Sequence, residues 1–523
     1  MIHIQLSYNK GQKWFSKDDI SVKGYIITPD NVLLKEYELI NYFSTIHSFD
    51  EFKHILNEAN GLFSVVIKRD NLVWLAVDHG RIFPLFYYQN EKLFIITDNP
   101  TTLKSFDVPF LFDEKNAVFL QYSGLAPDNK TIIKNVYQLS AGECVCFDNN
   151  SLKTAYHTEF LTTDFFTCSR DKIKENLVVA LEKTGNNLIK LLNGRPVSLF
   201  LSSGYDSRVI LYLLKKNNYS NVSCFTYGMK NSPELTNAEK IAKILDYEWT
   251  FIDYENFSDY SFVNDSAFLE YVNYSANYAN KFYFQEYIAL QYLINVKRIP
   301  DDTVFISGQS GSIAGHLLTK EMGNKNFSFA DYIIENIFSL VYPKRRELKI
   351  IKDYLSFFNN ADEKYPGYLL YENWRFKETT AKFGLNSLRL FDYFGYGFAI
   401  PLWDKELYSF FVKVPFEHKY DKNLFKETLS DLFKEYDIYF SNKELYPSKK
   451  LVKKVKFRSK VKKNFPFLKR FVDMWKIDLL GLKFLSTEFT HDLKKNHNYR
   501  KMLSANGIYS AWYIQKIKET FFK

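Results

Sequence analysis

Apolar positions along this chain follow two rhythms. Up to about residue 150, short β-rich runs alternate with polar turns. Tyr25-Ile26-Ile27-Thr28 stops at Pro29-Asp30-Asn31, and Phe63-Ser64-Val65-Val66-Ile67 stops at Lys68-Arg69-Asp70-Asn71. Leu72 to Val77 and Lys92 to Ile96 repeat the pattern. Closely spaced strands with few helical stretches predict an all-β or sandwich-like unit. Residues 42–59 read as one helix lying against it.

From residue 172 the period lengthens. A helical pattern from Lys172 to Leu192 leads into the apolar strand Val197 to Leu201, then a helix from Arg208 to Lys216 and a strand from Val222 to Tyr227. Asn237 to Leu245 reads as helix, Trp249 to Ile252 as strand, and Thr303 to Ser307 as a later strand. Continuous apolar strands alternating with helices predict a parallel sheet covered on both faces, because such strands have no polar side to show to solvent. The fold class is therefore α/β, with an N-terminal sandwich over 1–155, a doubly wound parallel-sheet domain over 172–440 and a basic helical extension over 441–523.

Composition narrows the class. The 523 residues are 46% hydrophobic and 25% charged, an ordinary balance for a globular chain. No apolar run approaches the ~18 residues that cross a bilayer, and the first residues lack a signal-peptide pattern, so the expected compartment is the cytoplasm. Cys144, Cys146, Cys168 and Cys224 show no CxxC spacing. Cys144 and Cys146 lie two apart on a strand and share a face, as packing residues would.

The net charge of +9 is concentrated. Residues 449–470 hold eleven Lys or Arg and no acid, so this segment carries +11 and the remainder sits near −2. A general nucleic-acid partner loses its main support. The segment also carries Val452, Val455, Phe457, Val461, Phe465 and Phe467. That mix suits an anionic membrane face, a polyanionic substrate, or a solvated helix packed on its own domain.

The string Leu201-Ser202-Ser203-Gly204-Tyr205-Asp206-Ser207-Arg208 carries the candidate chemistry. Small residues between a buried strand and a helix let the backbone fold closely round a phosphate, and the helix start offers unpaired N–H groups to the anion. The spacing and lysine of a Walker A loop are absent. An Asp- and Ser-capped helix after a turn is the bland reading of the same string.

The string is similar to the SGGxDS loop of ATP-pyrophosphatases: Ser202, Gly204, Asp206 and Ser207 match, and Ser203 replaces the first glycine. Further strings resemble the asparagine synthetase family in its own order. Asn60-Gly61-Leu62-Phe63-Ser64 and the run from Asp78 to Tyr88 resemble its NGxFA and RDxxGxxPLYY, and Gln138 to Glu143 its LxPG turn. Phe225 to Gly228, Asn373-Trp374-Arg375, Asn386 to Arg389, Ile400 to Asp404 and Lys422 to Leu429 resemble its synthetase half. The resemblance implies a glutaminase (Ntn) type sandwich followed by an ATP-pyrophosphatase domain.

Three departures stand out. The family's glutaminase attacks with an N-terminal cysteine, whereas position 2 is Ile2 and no cysteine precedes Cys144, so glutamine hydrolysis is not expected. Ser312 stands where the family's second loop has an Asp for Mg2+. Gly397 and Ala399 stand where its E-x-R-x-P has Glu and Arg.

The resemblance implies a ligase that activates a carboxylate (aspartate or a sugar acid) as an acyl-adenylate and passes it to ammonia or an amine. Its cofactors would be ATP and Mg2+. Ser202, Ser203, Gly204, Asp206 and Ser207 would cradle the phosphates, with Gly308, Ser310 and Gly311 on the opposite wall and Asp206 toward the metal. Lys426 or Lys422 would stabilise the departing pyrophosphate. The alternative is a catalytically silent relative that binds or scaffolds.

Overall fold

A period of two builds the first unit. On the strands Asn60–Arg69 and Leu72–Val77, Phe63, Val65, Ile67, Trp74 and Ala76 face two helices through Leu39, Phe43, Phe52 and Leu56. The alternate positions Val66, Val73, Leu75 and Val77 meet Tyr87, Phe94 and Ile96 of a second sheet, with Leu85 just before it. The result is a helix layer on a seven-stranded sheet, on a four-stranded sheet of order Ile2–Gln5, Phe94–Thr97, Phe86–Gln89, Val136–Gln138. These statements come from a computed structural model that describes residues 1–148, 151–230, 232–257, 261–309, 311–338, 345–356, 364–440, 482–495 and 505–522, with Phe457 and Val461. Apart from those two residues the basic stretch 449–470 lies outside the described residues, and so does Ser310.

The single helix expected over 42–59 is two, Glu36–Ser44 and Phe49–Glu58. Ser48 accepts from the Glu51 backbone N–H, while the Glu51 carboxylate takes the His47 N–H at 2.9 Å. A Ser followed three residues on by Glu starts a helix and so ends the previous one. Cys144 and Cys146 do share the helix-facing side of their strand, and burial pushes the Cys144 thiol up to about 12.

The second unit holds a five-stranded parallel sheet of order Glu248–Asp253, Val222–Gly228, Val197–Phe200, Val304–Ile306, Gly397–Ala399. The fifth strand was not expected, being only Gly-Phe-Ala. It is held at the edge in part by the Ser307 N–H on Ala399 C=O at 3.1 Å. The helix Tyr205–Lys216 begins earlier than its apolar period suggested, taking in Tyr205 to Ser207. The C-terminal helix Ala505–Phe521 buries Trp512 and Tyr513 fully, Trp512 beside Phe268, Phe282 and Phe489. Among the described residues no helix is long and apolar enough to cross a membrane.

Two buried polar clusters are among the contacts that tie the units together. Asp404 caps the helix Lys405–Val412 by accepting from Glu406 N–H at 2.9 Å, and accepts from Asn60 Nδ2 at 3.1 Å and Asn187 Nδ2 at 3.2 Å. Asn60 Oδ1 in turn takes the Lys405 N–H at 3.1 Å. Beside it, His79 Nε2 meets the Trp403 carbonyl at 2.6 Å, and burial drives its imidazole down to about 3, so it stays neutral. The second tie is the π-helical segment Phe376–Gly384, whose Lys382 pairs with Glu378 at 2.7 Å and donates to Ala126 C=O at 3.0 Å.

Asp404→Ala should therefore cost about 2–4 kcal/mol, one lost cap plus two stranded amide donors. Urea unfolding measures it; an unchanged midpoint would deny Asp404 its role as the junction.

Candidate functional site

The strand Val197–Phe200 ends at Leu201 and the chain turns at once into the helix Tyr205–Lys216. Gly204 is the N-cap, has no side chain to close the helix start, and is exposed. The free N–H groups there and the aligned peptide dipoles favour an anion. The turn is rigid. Ser207 Oγ lies 3.0 Å from Ser202 Oγ and donates to Ser202 C=O at 3.0 Å, and Gly204 N–H reaches Ser202 Oγ at 3.2 Å. Arg208, fully buried, donates to the Ser203 carbonyl at 2.5 Å and to Ile438 C=O at 3.0 Å, and burial brings its guanidinium down to about 10. Arg208 is a support that sequence reading did not single out, although an Arg in the first turn of a buried helix is itself a signal.

Opposite the helix start lies the second loop. A Cβ on Gly308 would fall 2.9 Å from Ser207 N, and one on Gly311 would fall 2.4 Å from Asp206 Oδ2. Only glycine permits this approach. Lys422 closes the third side, with Nζ 2.7 and 2.8 Å from the two Asp206 oxygens. Its backbone is left-handed (φ 58°), as is that of Asp421 (φ 53°), a strained pair held in place by Asp421 N–H on Leu318 C=O at 2.9 Å.

The cation next along, Lys426, is exposed, and it is Lys422 that pairs with Asp206. It acts with Lys422, Asp206 and Arg375 on His316, whose imidazole is pushed down first by burial and then by Lys422. Ser310 lies outside the described residues. Ser312 Oγ meets Thr380 Oγ1 at 3.3 Å, and Gly397 and Ala399 put no charge on their edge strand.

The donor set around Asp206 does not fit a metal held by the protein. Both carboxylate oxygens are on Lys422, and among the described residues no group of three His, Cys, Asp or Glu could hold an ion.

The carboxyl ends of three parallel strands open into a cavity of about 370 Å3. Its lining includes Ser202, Gly204, Asp206 and Ser207 of the turn and Ser307, Gly308 and Gln309 of the second loop. The lining also includes Glu286, to which sequence reading gave no role. The signal was there: Glu286 interrupts an aromatic run from Phe282 to Tyr287. Burial raises its carboxyl to about 7, against weaker lowering by Tyr283 and Tyr227. Open α/β sheets place ligands in this crevice.

Comparison with known proteins finds a family match over one stretch of this unit. The asparagine synthase family matches residues 189–262, which hold the first turn and the strands on either side of its helix. No curated protein matches the chain. Among solved structures, an NH3-dependent NAD synthetase from Campylobacter jejuni is 15% identical over 40% of this chain and 94% of its own, at a TM-score of 0.22. An NMN synthetase from Francisella tularensis is 14% identical over 39% and 77%, at 0.17. A glutamine phosphoribosylpyrophosphate amidotransferase from B. subtilis is 9% identical over 47% and 73%, at 0.19. Scores this low establish no shared fold.

Gly311→Ala tests the closure of the site. The added methyl would push the Asp206 carboxylate off Lys422, and affinity for inorganic pyrophosphate should fall about tenfold or more with the fold intact. Thermal shift with pyrophosphate reads this; an equal shift in both proteins would show that the contact is irrelevant to anion binding.

Proposed function

We propose that the protein is an ATP-dependent amide-forming ligase. The observation that carries this reading is the unclosed helix start at Gly204, faced by Lys422 and opening into a cavity large enough for a mononucleotide. The asparagine synthase match over residues 189–262 supports it.

In this reading a substrate carboxylate, from aspartate or a sugar acid, attacks the α-phosphorus of ATP. Pyrophosphate leaves and an acyl-adenylate forms. Ammonia or another amine then adds to the activated carbonyl, AMP departs, and the amine loses a proton. The N–H groups at Gly204 to Ser207 and the Ser202 and Ser207 hydroxyls hold the phosphates in line. Lys422 meets the charge that builds on pyrophosphate, sharing its ammonium between Asp206 and phosphate oxygens.

A second reading, a catalytically silent relative that serves as a binding or scaffold protein and takes no ATP, is favoured by one feature: both Asp206 oxygens are engaged by Lys422. Calorimetry with α,β-methylene ATP, with and without Mg2+, separates the two. The ligase binds it, and Lys422→Gln weakens binding about tenfold, or 1.4 kcal/mol. Exchange of labelled pyrophosphate into ATP across a panel of carboxylates completes the test. A wild-type exchange rate no higher than that of Asp206→Ala would end the catalytic reading.

A further inference from the structure

Glu286 lines the same cavity as the phosphate turn and is the N-cap of the helix Tyr287–Asn295. The Tyr283 hydroxyl is 3.4 Å from its Oε1 and the Tyr227 hydroxyl 3.5 Å from the same atom. Both contacts are at the long limit of a hydrogen bond, and both fall on one oxygen. Oε2 is left for whatever enters the cavity. Tyr283 is itself fixed by Gln309 Nε2 at 2.9 Å, and Gln309 Oε1 by Ser387 Oγ at 2.9 Å. The acceptor is thus held in place while poorly satisfied, an arrangement that favours a ligand with complementary hydrogen-bonding groups.

The groups facing Glu286 are tyrosines from every side: Tyr227 at the end of its strand, Tyr283 before the helix, Tyr254 after Glu248–Asp253 and Tyr271 on Ser266–Ala276. Among the described residues no Lys or Arg pairs with it. Aromatic and aliphatic side chains line the same cavity alongside Glu286 and the phosphate turn. Phe200 and Tyr227 stand edge to face at 5.6 Å, both half-buried, with Phe225, Ile306 and Phe391 alongside. A nucleotide with its phosphates at Gly204 to Ser207 would lay its base along these walls, where aromatic surface is recovered, and point the polar edge of the base at Glu286.

We infer that Glu286 reads the nucleobase: its carboxylic acid form pairs with adenine, and its carboxylate form with guanine. Adenine presents an acceptor at N1 and a donor at its amino group, which match the O–H and the remaining oxygen of a protonated carboxyl. Guanine presents donors at N1 and its amino group, which match the two oxygens of a carboxylate. Burial among tyrosines with no cation puts the changeover near neutral pH. Adenine preference should therefore hold on the acid side and weaken as pH rises. This inference rests on the nucleotide reading above and adds the group that selects the base.

The test is calorimetry with α,β-methylene ATP and α,β-methylene GTP on the full chain between about pH 6 and about pH 8. Phosphate ionisation is common to both ligands and cancels in the ratio of affinities. That ratio should fall by about tenfold or more over this range for the wild type. Glu286→Gln offers a donor and an acceptor at every pH, so it should keep the adenine preference with a flat profile. Glu286→Leu should lose the preference while unfolding at an unchanged temperature. A flat wild-type ratio, or a Glu286→Gln profile that still follows the wild type, overturns the inference and leaves the nucleotide reading standing. Failure of the wild type to bind either analogue overturns both.

Discussion

The ion pair between Asp206 and Lys422 is the constraint around which the site is arranged. It joins two segments 216 residues apart in the chain, at 2.7 and 2.8 Å, with the Lys422 side chain 7% exposed. Removing one partner of a buried pair costs roughly 3–5 kcal/mol, and less here because the Asp206 side chain keeps 30% exposure. The pair also explains local oddities. Two consecutive left-handed residues, Asp421 and Lys422, are tolerated because they deliver the ammonium to the carboxylate. Gly311 is required because the carboxylate has no other space.

The pair neutralises Asp206 internally, which changes the electrostatics of the turn. A lone carboxylate at a phosphate-binding helix start would repel phosphate unless a metal intervened. With Lys422 bound, the helix N-terminus keeps its favourable field for anions. The cavity brings together three kinds of lining: the helix start at Gly204 with Asp206, which Lys422 pairs, the aromatic rings of Phe200, Phe225 and Phe391, and the carboxyl of Glu286 beside Tyr227 and Tyr283. The proposed nucleotide, a charged tail on a flat ring with a polar edge, would draw on all three.

The first unit supports the second by docking its own turns onto the edge of the parallel sheet. Asn60 and His79 hold Trp403 and Asp404, and this in turn fixes the end of the short strand Gly397–Ala399. Three residues of Gly-Phe-Ala have too little apolar period and too little intrinsic strand preference to form a strand alone. The junction also explains why both ends of the Asn60 to Asp404 contact stood out as short strings in the sequence. Each string forms half of one hydrogen-bonded cluster.

Local pattern settled much of this protein. The alternation in Asn60–Arg69, the unbroken apolar strands Val197–Phe200 and Val222–Gly228 and the small residues from Ser202 to Ser207 each act within a few residues, so they are legible one window at a time. The split at Ser48 was missed, although its pairing with Glu51 three residues on is a local signal. Tertiary structure alone decided which of Lys422 and Lys426 reaches Asp206, that Arg208 braces the turn, and that Glu286 shares a cavity with it. Those outcomes depend on distances between segments far apart in sequence and on burial. Neither is encoded in the identity or spacing of neighbouring residues.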